Sequence, residues 1–387
     1  MVIACYISHN MPFHLQGHWF RSILCESWQH AFSGVTMVSI ALELLFQAAT
    51  VRRRLLPALL GLAIAVPASA QTGTLTALQA LGRAHAAVVG IQTTVAEDAR
   101  SAESLGVSRS GSGVVIAPDG LILTIGYLTL EAEQVQITTR EGIQVPGRVV
   151  AYDVPTGLSL VTPVLPLPKV QPVPLGDSRH LNPGDALLAA YAENENTDQA
   201  GMATARLIRR HPFSASWEYH LDAALFTSPP LSQHSGAPLF NQQGELLGIG
   251  SLKLLNAATE SRPLPGNMFV PVDALVPVLD EMRRLGSSRQ SHRPWLGLTS
   301  SEQNGRVQLV AINKAGPAKA AGLAVGDVIL GVDGVKVTSL EMFYKQVWAH
   351  ADFSQPLKLT VLQGADVNTV LIDAVDRLST LRKPEGI

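Results

Sequence analysis

The sequence predicts a mainly β chain: an all-β barrel or sandwich pair, followed by a smaller module that mixes strands and helices. Three observations predict it. Short β-branched and apolar runs recur between residues 87 and 270, each bounded by Gly, Pro, Asn, Asp or Ser, the pattern of strands broken by tight turns. The run GSGVVIAPDGLILT at 111–124 sets two apolar stretches around Pro118-Asp119-Gly120, which is turn chemistry at the centre of a hairpin. Past residue 294 the pattern changes: strands at 307–312, 357–363 and 370–372 surround a Gly/Pro-rich segment, 316–334, and a helical stretch, 340–349.

In chain order, residues 51–70 read VRRRLLPALLGLAIAVPASA: three arginines, an apolar run and then Ala68-Ser69-Ala70. This is the pattern of a signal peptide cut before Gln71, with an apolar core shorter than the roughly 20 residues that span a bilayer. Residues 1–50 have scattered Trp, His and Cys without periodicity, so we expect Val51 to be the true start and 1–50 a mis-assigned extension; the alternative is a membrane segment at 34–50, with Glu43 in its middle. Leu75, Leu78 and Leu81 predict an amphipathic helix over 74–87. Residues 87–94 read as a strand and 96–110 as a mobile surface loop. After the hairpin, strands are expected at 135–139, 147–151, 158–163, 185–191, 201–209, 217–221, 246–251 and 268–270. Leu275, Val278, Leu279, Met282 and Leu285 then predict a helix over 271–285, and polar residues 286–293 a flexible linker.

Composition excludes some function classes. The 387 residues carry a formal net charge of −2, which leaves no basic footprint for nucleic acid and no polybasic membrane patch. Both cysteines, Cys5 and Cys25, precede the expected cleavage point, so the exported chain relies on core packing and not on disulfides. No His/Cys/Asp/Glu cluster has metal-ligand spacing along the chain, and no Gly-rich loop opens a helix in a nucleotide-binding context. No cofactor is expected.

The stretch Gln233-His234-Ser235-Gly236-Ala237-Pro238-Leu239 has the form in which trypsin-like serine peptidases present a nucleophile: a tight turn exposes the hydroxyl, and small residues let backbone N–H groups face an oxyanion. With it in order stand GSGVVIAPDGLILT, VPLGDSRHLNPGDALLAAYA at 173–192, HSGAPLFNQQGELLGIGS at 234–251 and GPAKAAGLAVGDVILGVDG at 316–334. This succession resembles the HtrA/DegP family of periplasmic serine proteases over almost the whole exported chain. The resemblance implies a trypsin-like double β-barrel at 71–286, a linker at 287–293, an α+β PDZ domain at 294–378 and a tail at 379–387. It also implies a periplasmic location and a homotrimer.

Carried over residue by residue, the family's catalytic positions are altered. Tyr127 stands at the His position, Gly157 at the Asp position and Gln233 at a Gly of the oxyanion turn; Ser235 alone keeps its identity. A serine hydroxyl needs a base within hydrogen-bond reach. Tyr, with an unperturbed pKa of about 10, stays protonated, and Gly157 orients nothing. Gln233 in a left-handed conformation would cost roughly 1–2 kcal/mol. His234 points the opposite way from Ser235 on an extended turn, Asp153 is expected at a turn or surface, and His85, His180, His211 and His220 have no motif around them.

The expectation is a pseudoprotease. Its function then falls to the PDZ module, where the backbone of Trp295-Leu296-Gly297-Leu298 forms the carboxylate-binding loop, a peptide adds to strand 298–301, and Phe343 and Val347 line the pocket for the terminal side chain. The bland alternative is that Leu296, Leu298, Phe343 and Val347 only fill the module's core. The implied partners are protein or peptide C-termini, unfolded proteins and a true protease. The competing expectation is a working endopeptidase with an unorthodox base for Ser235.

Overall fold

The computed structural model describes residues 69–192, 201–258, 263–350 and 352–382. The expected extension, residues 51–68 of the expected signal peptide and the last five residues lie outside them. Helix α1 (Ser69–Ala86) leads into β1 (Val88–Val95), followed by α2 (Ala102–Leu105), β2 (Ser108–Val115), β3 (Ile122–Ile125), α3 (Gly126–Thr129), β4 (Ala132–Thr138), β5 (Gln144–Tyr152) and β6 (Leu158–Pro163). These six strands close into an antiparallel barrel in the order β1-β2-β3-β6-β5-β4. Closure leaves no unpaired edge. Ile91, Val114, Ile122, Leu123, Ile137, Leu158 and Leu160 from these strands are all buried in one apolar cluster.

A second barrel repeats the design with β7 (Ala186–Ala190), β8 (Met202–Ala215), β9 (Tyr219–Ser228), β10 (Pro238–Phe240), β11 (Leu246–Leu254) and β12 (Gly266–Pro271), closed in the order β10-β11-β12-β9-β8-β7. Among the main-chain contacts that join the barrels is the Ser112 N–H donating to the Ser235 carbonyl at 2.8 Å. A Cβ on Gly236 would lie 2.0 Å from the Ser112 carbonyl oxygen, and Gly236 has a φ of 72°. Only glycine fits there.

Helix α4 (Leu279–Leu285) follows the second barrel and packs back on β5 of the first, where the Tyr152 N–H donates to the Gly286 carbonyl at 3.0 Å; β13 (Pro294–Trp295) opens the last module. It continues with β14 (Leu298–Gln303), β15 (Arg306–Ile312), α5 (Pro317–Ala320), β16 (Val328–Val332), β17 (Val335–Lys336), α6 (Leu340–Ala349), β18 (Leu357–Gln363), β19 (Asp366–Ile372) and β20 (Val375–Asp376). The sheet runs β14-β15-β16-β18-β19 with β17 on β16, while β13 pairs with β20. Ser339 caps α6, its hydroxyl accepting from the Met342 N–H at 3.1 Å.

Several expectations are corrected by long-range contacts. The helix expected over 271–285 is a 3-10 turn at Val272–Ala274 and then α4. In the loop expected to be mobile, Ala99, Ser101 and Arg109 are buried; the Ser101 N–H donates to Glu131 at 2.7 Å, and Arg109 donates to the carbonyls of Tyr127 and Leu130 at 2.9 and 2.8 Å. Asp153, expected at the surface, is 0% exposed. It accepts from the Thr156 N–H and hydroxyl at 3.0 and 2.6 Å, from Ser291 at 2.8 Å, and from Ser288. The linker is therefore not flexible: Ser287, Ser288, Ser291 and Arg293 are buried. In the tail, Arg382 bonds back to the first barrel, its N–H on Glu131 at 3.0 Å and its guanidinium on Asp98 at 3.1 Å.

Candidate functional site

Ser235 sits on the turn before β10, half-buried where the barrels meet. Tyr127, in the first turn of α3, reaches across from the other barrel. Its hydroxyl donates to the Ser251 carbonyl at 2.9 Å, and the Ser235 side chain is close enough to act on the phenol. The phenol proton is thus committed to the Ser251 carbonyl. Burial pushes the Tyr127 phenol up to about 12. An oxygen that keeps its own proton through the neutral range cannot take another from serine.

Gly157 lies beneath this pair. Its carbonyl accepts from the Gly126 N–H at 2.7 Å and its N–H donates to the Asp153 carbonyl at 2.8 Å. Its φ is 70°, and a Cβ placed there would meet the Tyr219 ring at 3.4 Å. Tyr219 itself is fixed by its hydroxyl on the Thr156 carbonyl at 2.7 Å. An aromatic ring therefore lies against the position from which a carboxylate would have to orient an imidazole.

The remaining candidates are directed elsewhere. His234 has its Nδ1 3.1 Å from the Ser232 carbonyl, and burial holds its imidazole below the ordinary value. His180 and His211 are exposed and His85 is buried. His220 bonds Ser214 at 2.8 Å. Gln233 is not among the described non-glycine residues with positive φ, so the left-handed strain considered for it does not arise. His220, Asp222 and Glu341 bring ligand-type atoms within 4.8 Å of one another, a cluster invisible along the sequence. Lys345 already supplies its cation, with Nζ 2.7 Å from Asp222 and 2.8 Å from Glu341.

The loop between β13 and β14 holds the second set of candidates. Leu296, Leu298, Phe343 and Val347 are buried in one apolar cluster with Val307, Ile329 and Tyr344. The Trp295 ring lies under the Arg377 guanidinium, 5.0 Å from it. The backbone N–H groups of this loop converge on one group from the same chain, Glu218. Leu296 donates to its Oε2 at 3.0 Å, Gly297 to its Oε1 at 2.8 Å and Leu298 to the same oxygen at 2.7 Å. Glu218 belongs to the turn between β8 and β9, where residues 217–218 had been expected to begin a strand. Burial pushes its carboxyl up, against the pull of these N–H donors and Arg377. The sequence carried no signal for it, because the contact spans 78 residues.

The comparisons agree with this layout. Residues 111–249 match the model of the trypsin-like peptidase domain and residues 294–373 that of the PDZ domain. A Pseudomonas putida protein named "Probable periplasmic serine endoprotease DegP-like" is 28% identical over 250 residues, 61% of this chain and 48% of its own length. The "Serine protease Do-like HtrA" of Lactobacillus helveticus is 26% identical over 265 residues, 62% of each. The chain thus spans about half to three-fifths of the length of these relatives. Among solved structures, an "HtrA-type protease AlgW with decapeptide" superposes with a TM-score of 0.51 at 20% identity, covering 80% of this chain and 99% of that one. That likeness is one of fold.

Proposed function

We propose that this chain, HtrA/DegP-like in carrying a trypsin-like peptidase domain and then a PDZ domain, is an exported pseudoprotease that holds peptide C-termini or unfolded polypeptides through its PDZ domain. It would serve as scaffold, chaperone or regulator of a true protease in envelope protein quality control. One observation supports the loss of catalysis: the group at the expected His position is the Tyr127 phenol, which gives its proton to the Ser251 carbonyl at 2.9 Å and has its pKa raised to about 12, so it supplies Ser235 with no base near neutrality. The names of the matched relatives support the periplasm as its compartment, and among the described residues no helix is long and apolar enough to cross a membrane. A homotrimer remains part of the reading, to be checked by sedimentation.

The test is labelling of the purified protein by a fluorophosphonate probe, beside casein hydrolysis, for wild-type and Ser235→Ala. We expect no labelling of Ser235 above the substituted protein and no difference in hydrolysis. Hydrolysis that disappears with Ser235→Ala overturns the pseudoprotease reading in favour of an endopeptidase with an unorthodox base.

A further inference from the structure

We propose that the tip of the β8–β9 hairpin is the resident ligand of the PDZ groove, with Glu218 standing in for the terminal carboxylate of a bound chain end. The inference rests on the peptide-end reading above and adds its regulation: the groove is self-occupied, and only a polypeptide with a free α-carboxylate can displace the occupant.

The geometry is that of a bound peptide. Three successive N–H groups, from Leu296, Gly297 and Leu298, grip both oxygens of one carboxylate, the arrangement a backbone nest offers an anion. Two residues earlier, the Ser216 carbonyl accepts from the Ser300 N–H of β14 at 2.8 Å, a main-chain bond of the kind an added strand makes. The Tyr344 hydroxyl of α6 donates to the Ala215 carbonyl at 2.8 Å, so β14 and α6, the two sides of the groove, both hold the hairpin. Glu218 is only 8% exposed and is one of the few described non-glycine residues with positive φ, 56°. A strained backbone that delivers a buried charge into a ring of donors is held in place by that contact. Arg377 and Arg293 are close enough to interact electrostatically with the carboxylate, so the setting favours an anion from either source.

The consequence is competition between an internal and an external carboxylate. An external chain end binds only the fraction of molecules whose hairpin has left, and its apparent Kd is raised by the inverse of that fraction. An amidated or internal peptide lacks the group that could replace Glu218 on three otherwise unpaired N–H donors, and it should not compete.

The test uses the full chain as wild-type, Glu218→Ala and Glu218→Gln. Probes are a fluorescein-labelled octapeptide ending in valine with a free carboxylate and its C-terminal amide, read by polarisation, with hydrogen exchange at the amides of Leu296, Gly297 and Leu298. We expect Glu218→Ala to bind the free-acid peptide about tenfold tighter or better than wild-type, an open fraction of one tenth or less. Glu218→Gln, which keeps the side-chain volume with one acceptor oxygen, should gain less, and the amide should bind none of the three. Equal affinity of wild-type and Glu218→Ala for the free acid overturns the self-occupied groove while leaving chain-end binding intact. If no protein prefers the acid over the amide, the chain-end reading falls; the exchange data then decide the occupancy alone, which stands if protection at 296–298 is lost on substitution and falls if it is unchanged. Circular dichroism of Glu218→Ala guards against a folding defect in that variant.

Discussion

On the proposed reading, Tyr127 and Gly157 decide what the interbarrel site can do. Replacing Tyr127 by His alone should then confer no hydrolysis, because nothing at residue 157 orients the ring and Tyr219 lies 3.4 Å from where a Cβ would stand. Adding Gly157→Asp should instead destabilise by about 1–2 kcal/mol, the cost of a left-handed conformation, before any clash with Tyr219; the urea midpoint and fluorophosphonate labelling of the double variant check both halves. The tyrosines also set a pH limit. Burial raises the phenols of Tyr127, Tyr152, Tyr219 and Tyr344. A folded pKa above the unfolded value means the folded state holds more protons above pH ~10, so stability is complete below that pH and falls as it rises. Urea midpoints should hold between pH 7 and 9 and drop between pH 10 and 11. Ser235 could be singled out from its local turn motif, and Tyr127 and Gly157 only through the resemblance to the HtrA/DegP family. Tyr219 could not, since the turn it packs on lies more than sixty residues away.

The elements show the same division between local and distant information. Strand alternation and the Pro118-Asp119-Gly120 turn marked the barrels, and α6 could be read from its capping serine and apolar spacing. The segment 286–293 misled because its polar composition is that of a solvated linker, whereas its serines are spent on one buried carboxylate. Asp153→Ala leaves Thr156, Ser288 and Ser291 without their acceptor and should cost about 2–4 kcal/mol. Trypsin cleavage after Arg289 should then appear in native buffer, read by mass spectrometry of timed digests. Unchanged cleavage would show that the barrel wall holds this segment without Asp153. The β8–β9 hairpin misled differently: residues 217–221 have strand-like side chains, but the turn falls at Glu218 because its carboxylate has partners in another domain.

The two closed barrels and the PDZ domain fall within one compact unit. Its joints are the Ser112–Ser235 bond, the Asp153 cluster, the Glu218 contact and the Arg382 anchor. Calorimetry should therefore show one main transition. Glu218→Ala should split off an earlier one belonging to the PDZ domain, lowered by about 4–8 °C for each kcal/mol of lost docking. A single unsplit transition in that variant would mean the other joints suffice. The order of domains was legible because each has its own turn and strand signature; their mutual fastening was not, because it depends on isolated polar side chains whose partners lie in another domain. With Ser288 and Ser291 pinned to Asp153, the PDZ module does not hang from a tether. Letting go of Glu218 would free a finger and not an elbow, so on the proposed reading a bound chain end would be presented at a constant bearing, as in a jig bolted to the bench.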